Sequence, residues 1–119
     1  MIYVIDHKDS FTHNVVHQLS LFDQVLCDDF SKVSKSKLNQ ASTIVFSPGP
    51  GSPKDYPISS KIYKKFKGKK KIIGICLGFQ QILYCEGASI IEQKKIYHGF
   101  QSEVLVNKSK QRYIEINSN

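Results

Sequence analysis

Apolar residues gather in short runs that predict buried β-strands, and they recur at helical spacing in the stretches between these runs. The strand-like runs are Ile2–Ile5, Gln24–Cys27, Thr43–Phe46 and Lys71–Ile75, with weaker ones at Ser89–Glu92, Glu103–Val106 and Arg112–Ile116. Helical spacing is seen in Phe11, Val15, Leu19 and Phe22, in Ile58, Ile62 and Phe66 after Pro57, and from Leu77 to Glu86 before Gly87. This alternation predicts a doubly wound, mostly parallel α/β sheet in a single domain, residues 1–119.

Three loops follow the ends of predicted strands: Asp6–Ser10, Ser47–Pro53 and Cys76–Gly78. In a parallel sheet, binding and chemistry gather where the carboxyl ends of the strands open into loops. We therefore expect these three loops to converge on one edge of the sheet.

Cys76 lies in Gly74-Ile75-Cys76-Leu77-Gly78, where an apolar strand turns into a helix. A sharp turn of this kind presents a nucleophile above the sheet edge, where the next backbone N–H can stabilise an oxyanion. The positive end of the helix favours thiolate over thiol. A lone cysteine is more often a buried core residue, but the two glycines and the strand–helix context favour a nucleophile here.

The segment from Ser47 to Pro53 reads Ser-Pro-Gly-Pro-Gly-Ser-Pro and alternates rigid with permissive residues. Such a backbone is typical of an anion or oxyanion cradle, and equally of a rigid turn. No Gly-Lys-Ser/Thr follows, which excludes a phosphate loop of that type. The earlier loop carries Asp6 and Asp9, and helix capping by Asp9 or Ser10 is favoured over metal or acid–base chemistry.

The remaining polar candidates indicate neither a metal site nor a nucleic-acid site. The four histidines are interpreted as surface or structural residues; they are His7, His13, His17 and His98. No zinc-ligand spacing is present, and no cofactor is expected. The net charge of +7 comes largely from lysines between Lys64 and Lys71, which we interpret as a solvated face because no arginine cluster or nucleic-acid module accompanies them. Three cysteines, no leader sequence and no long apolar run favour a cytoplasmic protein without membrane contact.

The motifs taken together resemble the class I glutamine amidotransferases, which have a flavodoxin-like fold. The match rests on the blocks Asp9–Asn14, Ser47–Pro53, Gly74–Gln80 and His98-Gly99, and it extends from Met1 to about Tyr113. It is nearest to the small subunit shared by anthranilate synthase and 4-amino-4-deoxychorismate synthase. The Asp-Ser-Phe-Thr block favours this chorismate branch of the family.

The resemblance implies a role for each matching position. Cys76 attacks the side-chain amide of glutamine to form a thioester, and ammonia passes to a larger, chorismate-binding synthase subunit. The backbone N–H of Leu77 and the loop Gly49-Pro50-Gly51 bind the oxyanion. Gln80 contacts the substrate glutamine.

The sequence also departs from the family pattern. Phe79 replaces the usual histidine after Cys-Leu-Gly, and Ile114 follows Arg112-Tyr113 where the family continues His-Ser-Leu. The family's catalytic histidine and glutamate belong to a later His-Pro-Glu-Ser segment that these 119 residues do not contain.

We expect a fold incomplete at its C-terminus, an exposed sheet edge, marginal stability and impaired glutamine hydrolysis. A gene fragment, a frame disruption near Tyr113 and a genuine short form all explain this, and the abrupt change favours a disruption. The alternative function is a non-catalytic module that docks on the synthase subunit.

Overall fold

The computed structural model describes residues 1–88 in full and the backbone of residues 101–106 and 109–114. The strands are β1 (Ile2–Asp6), β2 (Val25–Asp29), β3 (Thr43–Phe46), β4 (Lys71–Gly74), β5 (Gln101–Val106) and β6 (Ser109–Ile114). The α-helices are α1 (Thr12–Ser20), α2 (Lys35–Gln40), α3 (Pro57–Phe66) and α4 (Leu77–Cys85). Single 3₁₀ turns lie at Phe30–Lys32 and Pro53–Asp55. The predicted strand Ser89–Glu92 lies outside the described residues, and α2 was not predicted.

The first four strands form one parallel sheet in the order β2-β1-β3-β4, which confirms the predicted α/β class. The chain steps from β1 to β2 on one side and then returns to place β3 on the other side of β1. This reversal is a topological switch point, and the crevice beyond the strand ends at such a point is the usual ligand site of an open α/β sheet. β5 and β6 form a separate antiparallel pair.

Both faces of the parallel sheet are covered, which explains why its strands read as continuous apolar runs. On one face, Tyr3, Ile5, Ile44 and Phe46 pack with residues of α2, α3 and α4. On the other face, Ile2, Val4 and Val45 pack with Val15 of α1. Alternate residues of the same strand therefore supply two different cores, and the helices on both faces make the sheet doubly wound.

Two predicted apolar helix positions are wrong. Phe22 lies beyond the end of α1 and is 84 % exposed, while Ile58 is 44 % exposed. The buried face of α3 consists of Ser59, Ile62, Tyr63 and Phe66. A repeat of four residues drifts by roughly 40° per step around a helix with 3.6 residues per turn, so Ile58 is rotated away from Phe66. The spacing that starts at Ser59 stays on one face.

The lysine-rich segment around the start of β4 lies at the surface, where Lys64, Lys65, Lys67, Lys69 and Lys71 are exposed. Its interpretation as a solvated face stays a prediction. The cap predicted for α1 is wrong, because Phe11 is the N-cap residue and no side chain caps this helix. Asp9 Oδ2 accepts a hydrogen bond from the N–H of Phe11 at 3.2 Å, one residue before the helix, whereas Ser10 supplies no cap. In the part of the chain that the structure describes, every helix is too short or too polar to cross a bilayer.

Candidate active site

Cys76 occupies a strained turn between β4 and α4. Its φ and ψ angles are 52° and −109°. A positive φ is rare for a residue other than glycine. Such a conformation costs about 1–3 kcal/mol and persists only where the surrounding structure enforces it. The residue is half-buried and immediately precedes the first turn of α4, where the helix dipole favours negative charge.

The two flanking glycines allow the tight approach that holds this turn. A Cβ added at Gly74 would lie 2.4 Å from the carbonyl oxygen of Gly78, and one added at Gly78 would lie 2.0 Å from the carbonyl oxygen of Phe46. The N–H of Ile75 also donates to Phe46 O at 3.0 Å. The turn therefore lies directly against the backbone of β3, the neighbouring strand, and any larger side chain at either glycine would displace it.

The proline–glycine loop lies beside this turn, as the predicted convergence of loops requires. A Cβ added at Gly49 would lie 2.9 Å from Leu77 Cδ2 and 2.5 Å from the Cβ of His7. Gly49 is thus in close contact with the residue that follows the candidate nucleophile. The loops after β1, β3 and β4 meet at one sheet edge.

Two backbone N–H groups near this edge, those of Leu77 and Gly51, are candidate donors for an anion. Leu77 is the first residue of α4, and an N–H at that position has no acceptor within its own helix. Pro50 has no N–H, but its carbonyl oxygen accepts a hydrogen bond from the Tyr56 hydroxyl at 2.6 Å. Because C=O and N–H point in opposite directions in a trans peptide, the N–H of Gly51 points away from that hydroxyl. Burial, followed by the nearby Asp55 charge, raises the pKa of Tyr56, so the hydroxyl keeps the proton that it donates.

The far end of the loop is anchored by two further side chains. Asp55 Oδ2 accepts from the N–H of Ser52 at 2.9 Å. Gln81 of α4 is 0 % exposed, and its Nε2 lies 3.0 Å from Pro53 O and 3.2 Å from Tyr56 O. Its Oε1 accepts no hydrogen bond from the described residues. Burying an amide is unfavourable unless it is hydrogen-bonded, so the two carbonyl partners of Gln81 indicate a firm connection between α4 and the loop.

The first loop is organised by its own carboxylates. Asp6 Oδ1 accepts from the N–H of Lys8 at 2.9 Å and from Thr12 Oγ1 at 3.0 Å. Lys8 is the other non-glycine residue with positive φ, at 63°, among those described. Asp6 and Asp9 therefore act as turn acceptors, each for the N–H two residues further along the chain. No group of three or more His, Cys, Asp or Glu side chains within the described ranges could hold a metal ion.

The other sequence candidates fall into three groups. Gln80 is half-buried on α4, and its contact with glutamine stays a prediction. His13 and His17 are exposed on α1, and His98 lies outside the described residues. His7 is fully buried beneath the proline–glycine loop, which agrees with a structural role but was not located by the sequence. Its position after a buried strand was the available signal.

Comparison with known proteins gives one family. A model of "Glutamine amidotransferase class-I" matches residues 3–118. Anthranilate synthase component 2 of Cyanidium caldarium is 38% identical over 113 residues, which are 92% of this chain and 58% of that protein. Aminodeoxychorismate/anthranilate synthase component 2 of Bacillus subtilis (strain 168) is 34% identical over 107 residues, which are 87% of this chain and 55% of that protein. The chain thus spans little more than half the length of these relatives.

A solved structure shares the fold. The crystal structure of a Thermoplasma acidophilum protein that is named as a component of GMP synthase aligns with a TM-score of 0.65 and 25% sequence identity. The alignment covers 86% of this chain and 52% of that protein. The parallel sheet and its strand-end loops therefore belong to an architecture that is already known from experiment.

Proposed function

The chain belongs to the class-I glutamine amidotransferases, and on that premise we propose that it is the glutaminase component of a synthase that uses chorismate. Its relatives are named as component 2 of anthranilate synthase and of aminodeoxychorismate/anthranilate synthase. The proposed partner is a larger, chorismate-binding component, and the proposed substrate is glutamine. Residues 1–119 are taken as part of one amidotransferase domain.

The observation that carries this proposal is the strained turn at Cys76 beside the Gly49–Gly51 loop. A positive φ at a cysteine is unfavourable for folding, and such strain clusters at functional sites. The loop lies against Leu77, and we take the N–H of Leu77 and the loop as the proposed oxyanion donors. These features support a nucleophile with an oxyanion site better than they support a buried core cysteine.

In the proposed reaction, the Cys76 thiolate adds to the amide carbon of the glutamine side chain. The carbonyl oxygen becomes an oxyanion that the N–H groups of Leu77 and Gly51 stabilise, each worth roughly 3 kcal/mol in comparable sites. The carbon–nitrogen bond then breaks as the nitrogen takes up a proton, and ammonia leaves. Water hydrolyses the thioester to glutamate and restores the thiol. Gln80 is proposed to orient the substrate.

Proton transfer is the step of the proposed reaction for which the fewest of the family's residues are present in this sequence. The family's His-Pro-Glu-Ser segment is not in the sequence. Loss of a general acid–base group typically slows such reactions by about 10²–10⁴-fold. We therefore expect the isolated chain to release ammonia from glutamine slowly, and turnover equal to that of a full-length relative would show that the base lies within this chain.

A covalent probe tests the substrate site without requiring turnover. A chloroketone analogue of glutamine should alkylate Cys76 saturably, and glutamine should protect it. Cys27 is the matched control, because desolvation of its thiol, followed by repulsion from Asp6 and Asp28, raises its pKa to about 11. Mass spectrometry after digestion locates the adduct. Equal, unprotected labelling of Cys76, Cys27 and Cys85 would contradict the proposal.

A second experiment tests the role of the thiol in synthesis. The chain is mixed with a chorismate-binding synthase component, and product is measured with either glutamine or ammonium as the nitrogen source. Cys76→Ser should remove the glutamine-supported product and leave the ammonium-supported product, whereas Cys27→Ser should change neither. If Cys76→Ser binds the partner and leaves glutamine-supported synthesis unchanged, the chain is a docking module.

A further inference from the structure

A fully buried histidine joins the start of the proline–glycine loop to two other elements. His7 directly follows β1, and its backbone N–H donates to Ser47 Oγ at 2.8 Å. Its Nδ1 lies 3.1 Å from the carbonyl oxygen of Ser47, and its Nε2 lies 2.8 Å from the hydroxyl of Ser59 on α3. All three residues are 0 % exposed. Every polar atom of the imidazole is therefore satisfied by the protein.

The acceptor at Ser47 favours one tautomer of the ring. A carbonyl oxygen can only accept, so the 3.1 Å contact favours a proton on Nδ1, with Nε2 accepting from the Ser59 hydroxyl, although Ser47 Oγ also lies 3.4 Å from Nδ1. Burial lowers the pKa of His7, while the Ser47 hydrogen bond and the charges of Asp6 and Asp29 oppose this effect more weakly. The ring is thus neutral at pH 7 and serves as a donor toward the loop and an acceptor toward α3.

The Cβ and backbone carbonyl of His7 also lie against the loop, next to the residue that follows the candidate nucleophile. The backbone at Gly49 lies so near that an added Cβ would be 2.5 Å from His7 Cβ and 2.7 Å from His7 O. The same Cβ would be 2.9 Å from Leu77 Cδ2. Gly49 is therefore held between His7, which follows β1, on one side and the first residue of α4 on the other.

We propose that His7 is a positioning residue whose hydrogen bond to Ser47 sets the distance between the Gly49–Gly51 loop and the N–H of Leu77. The proposal rests on the proposed function, since it assigns His7 to the oxyanion site of that reaction. His7 does not touch the substrate. It acts through the peptide that begins the loop.

Two substitutions of similar polarity separate the two bonds of the ring. The amide of His7→Asn reaches the position of Nδ1, so it keeps the bond to Ser47 and loses the one to Ser59. The amide of His7→Gln reaches the position of Nε2, so it keeps the bond to Ser59 and loses the one to Ser47. Urea unfolding of both variants checks that their stabilities are matched.

The expected result is a difference between the variants that stability does not explain. His7→Asn should label Cys76 with the glutamine chloroketone at nearly the wild-type rate. His7→Gln should label it about five- to tenfold more slowly, the effect expected for loss of one hydrogen bond. Iodoacetamide, which needs no oxyanion site of this shape, should label Cys76 equally in both. Equal chloroketone rates in the two variants would overturn the proposal.

Nuclear magnetic resonance provides a readout independent of glutamine. The ¹⁵N shifts of the His7 ring should show a neutral Nδ1–H tautomer, and exchange of the Ser47 amide should be slow in wild type and His7→Asn but faster in His7→Gln. An Nε2–H tautomer would refute the positioning role. If the wild-type chain shows no glutamine-protected labelling while these signals behave as expected, the proposed function fails and the link between His7 and the loop stands.

Discussion

The substitution Gly78→Ala tests whether the turn at Cys76 depends on close contact between α4 and β3. The added methyl carbon would lie 2.0 Å from Phe46 O, 2.6 Å from Phe46 C and 2.8 Å from Phe46 Cβ. Phe46 is 0 % exposed and belongs to a central strand, so it cannot move toward solvent. The helix must therefore move away from the sheet.

The size of the effect follows from this displacement. Cβ contacts below 3.0 Å are essentially absent from real structures, so α4 must retreat by about 1 Å from Phe46. A gap of 0.5–1 Å forfeits roughly a quarter to a half of the dispersion energy across an interface. Overpacking of this kind typically costs about 1–3 kcal/mol and sometimes more, and alanine returns up to about 1 kcal/mol of helix propensity. Because a contact at 2.0 Å is a severe overlap, we take a cost of about 3–4 kcal/mol, and a net loss of about 2–3 kcal/mol follows.

Urea unfolding followed by circular dichroism measures this loss. With a slope of about 2 kcal/mol per molar urea, the midpoint should fall by about 1–1.5 M. Cys76 should also react more slowly with the glutamine chloroketone, because Leu77 moves with the helix.

Gly68→Ala is the matched control for that experiment. A Cβ at Gly68 meets nothing within 4 Å, although φ there is +77°. This control should cost about 1–2 kcal/mol from backbone strain alone and leave thiol labelling unchanged. A midpoint for Gly78→Ala at or above that of Gly68→Ala, with normal labelling, would refute the reasoning.

Three further predictions concern pH, a buried carboxylate and the loop. Burial lowers the pKa of His7 in the folded state below its ordinary 6.5. Because the unfolded chain then takes up the proton first, the free energy of unfolding should fall as the pH drops below about 6.5. Urea midpoints measured between pH 7.5 and 5.5 should show this decline, and His7→Asn should flatten it. Burial raises the pKa of Glu86, but hydrogen bonds from Lys67, which follows α3, and from Tyr63 lower it below its usual value. Glu86→Gln should therefore destabilise the protein by about 1 kcal/mol in thermal unfolding at pH 7. An unchanged stability would contradict a stabilising role of this charge. Gly49→Ala should slow labelling of Cys76 by the glutamine chloroketone, because its methyl group collides with Leu77. The rise in the activation free energy of labelling should be at least as large as the loss in the free energy of unfolding. Unchanged labelling would show that the loop does not contribute to the site.

The sequence predicted the sheet well because burial on both faces leaves a strong local signal. Residues 2 to 5 are all buried, and the alternate positions enter two different cores, so the run reads as continuously apolar. The helix α2 left no such signal. It has six residues, of which Leu38 alone is buried, and it is capped by Ser34, whose hydroxyl accepts from the N–H of Lys37. A short helix defined by one contact and one cap cannot be read from periodicity.

The local geometry of the candidate site could be predicted where one contiguous motif determines it, and it was missed where it depends on distant partners. Cys76 with its flanking glycines is a contiguous motif, so its turn could be inferred. The partners of His7 are 40 and 52 residues away, and no spacing along the chain connects them. Ser59 could have been found, because it shares one helical face with Ile62 and Phe66. The burial of Gln81 could not be inferred, because only a tertiary structure distinguishes it from its neighbour in the sequence.

The two halves of the candidate oxyanion site are each attached to a central strand. The half that contains Leu77 is fixed to β3, because the N–H of Ile75 donates to Phe46 O at 3.0 Å. The loop half is fixed to β1, because the N–H of Ser47 donates to Ile5 O at 3.1 Å and His7 supports the same residue. Since Ile5 and Phe46 are paired partners in the parallel ladder, both attachments start from neighbouring positions inside the core, and the proposed role of the His7–Ser47 hydrogen bond is to set how far the loop then lies from Leu77. These two attachments can therefore sustain the backbone strain at Cys76. Substitutions that loosen either attachment should alter the geometry of the site before they unfold the sheet.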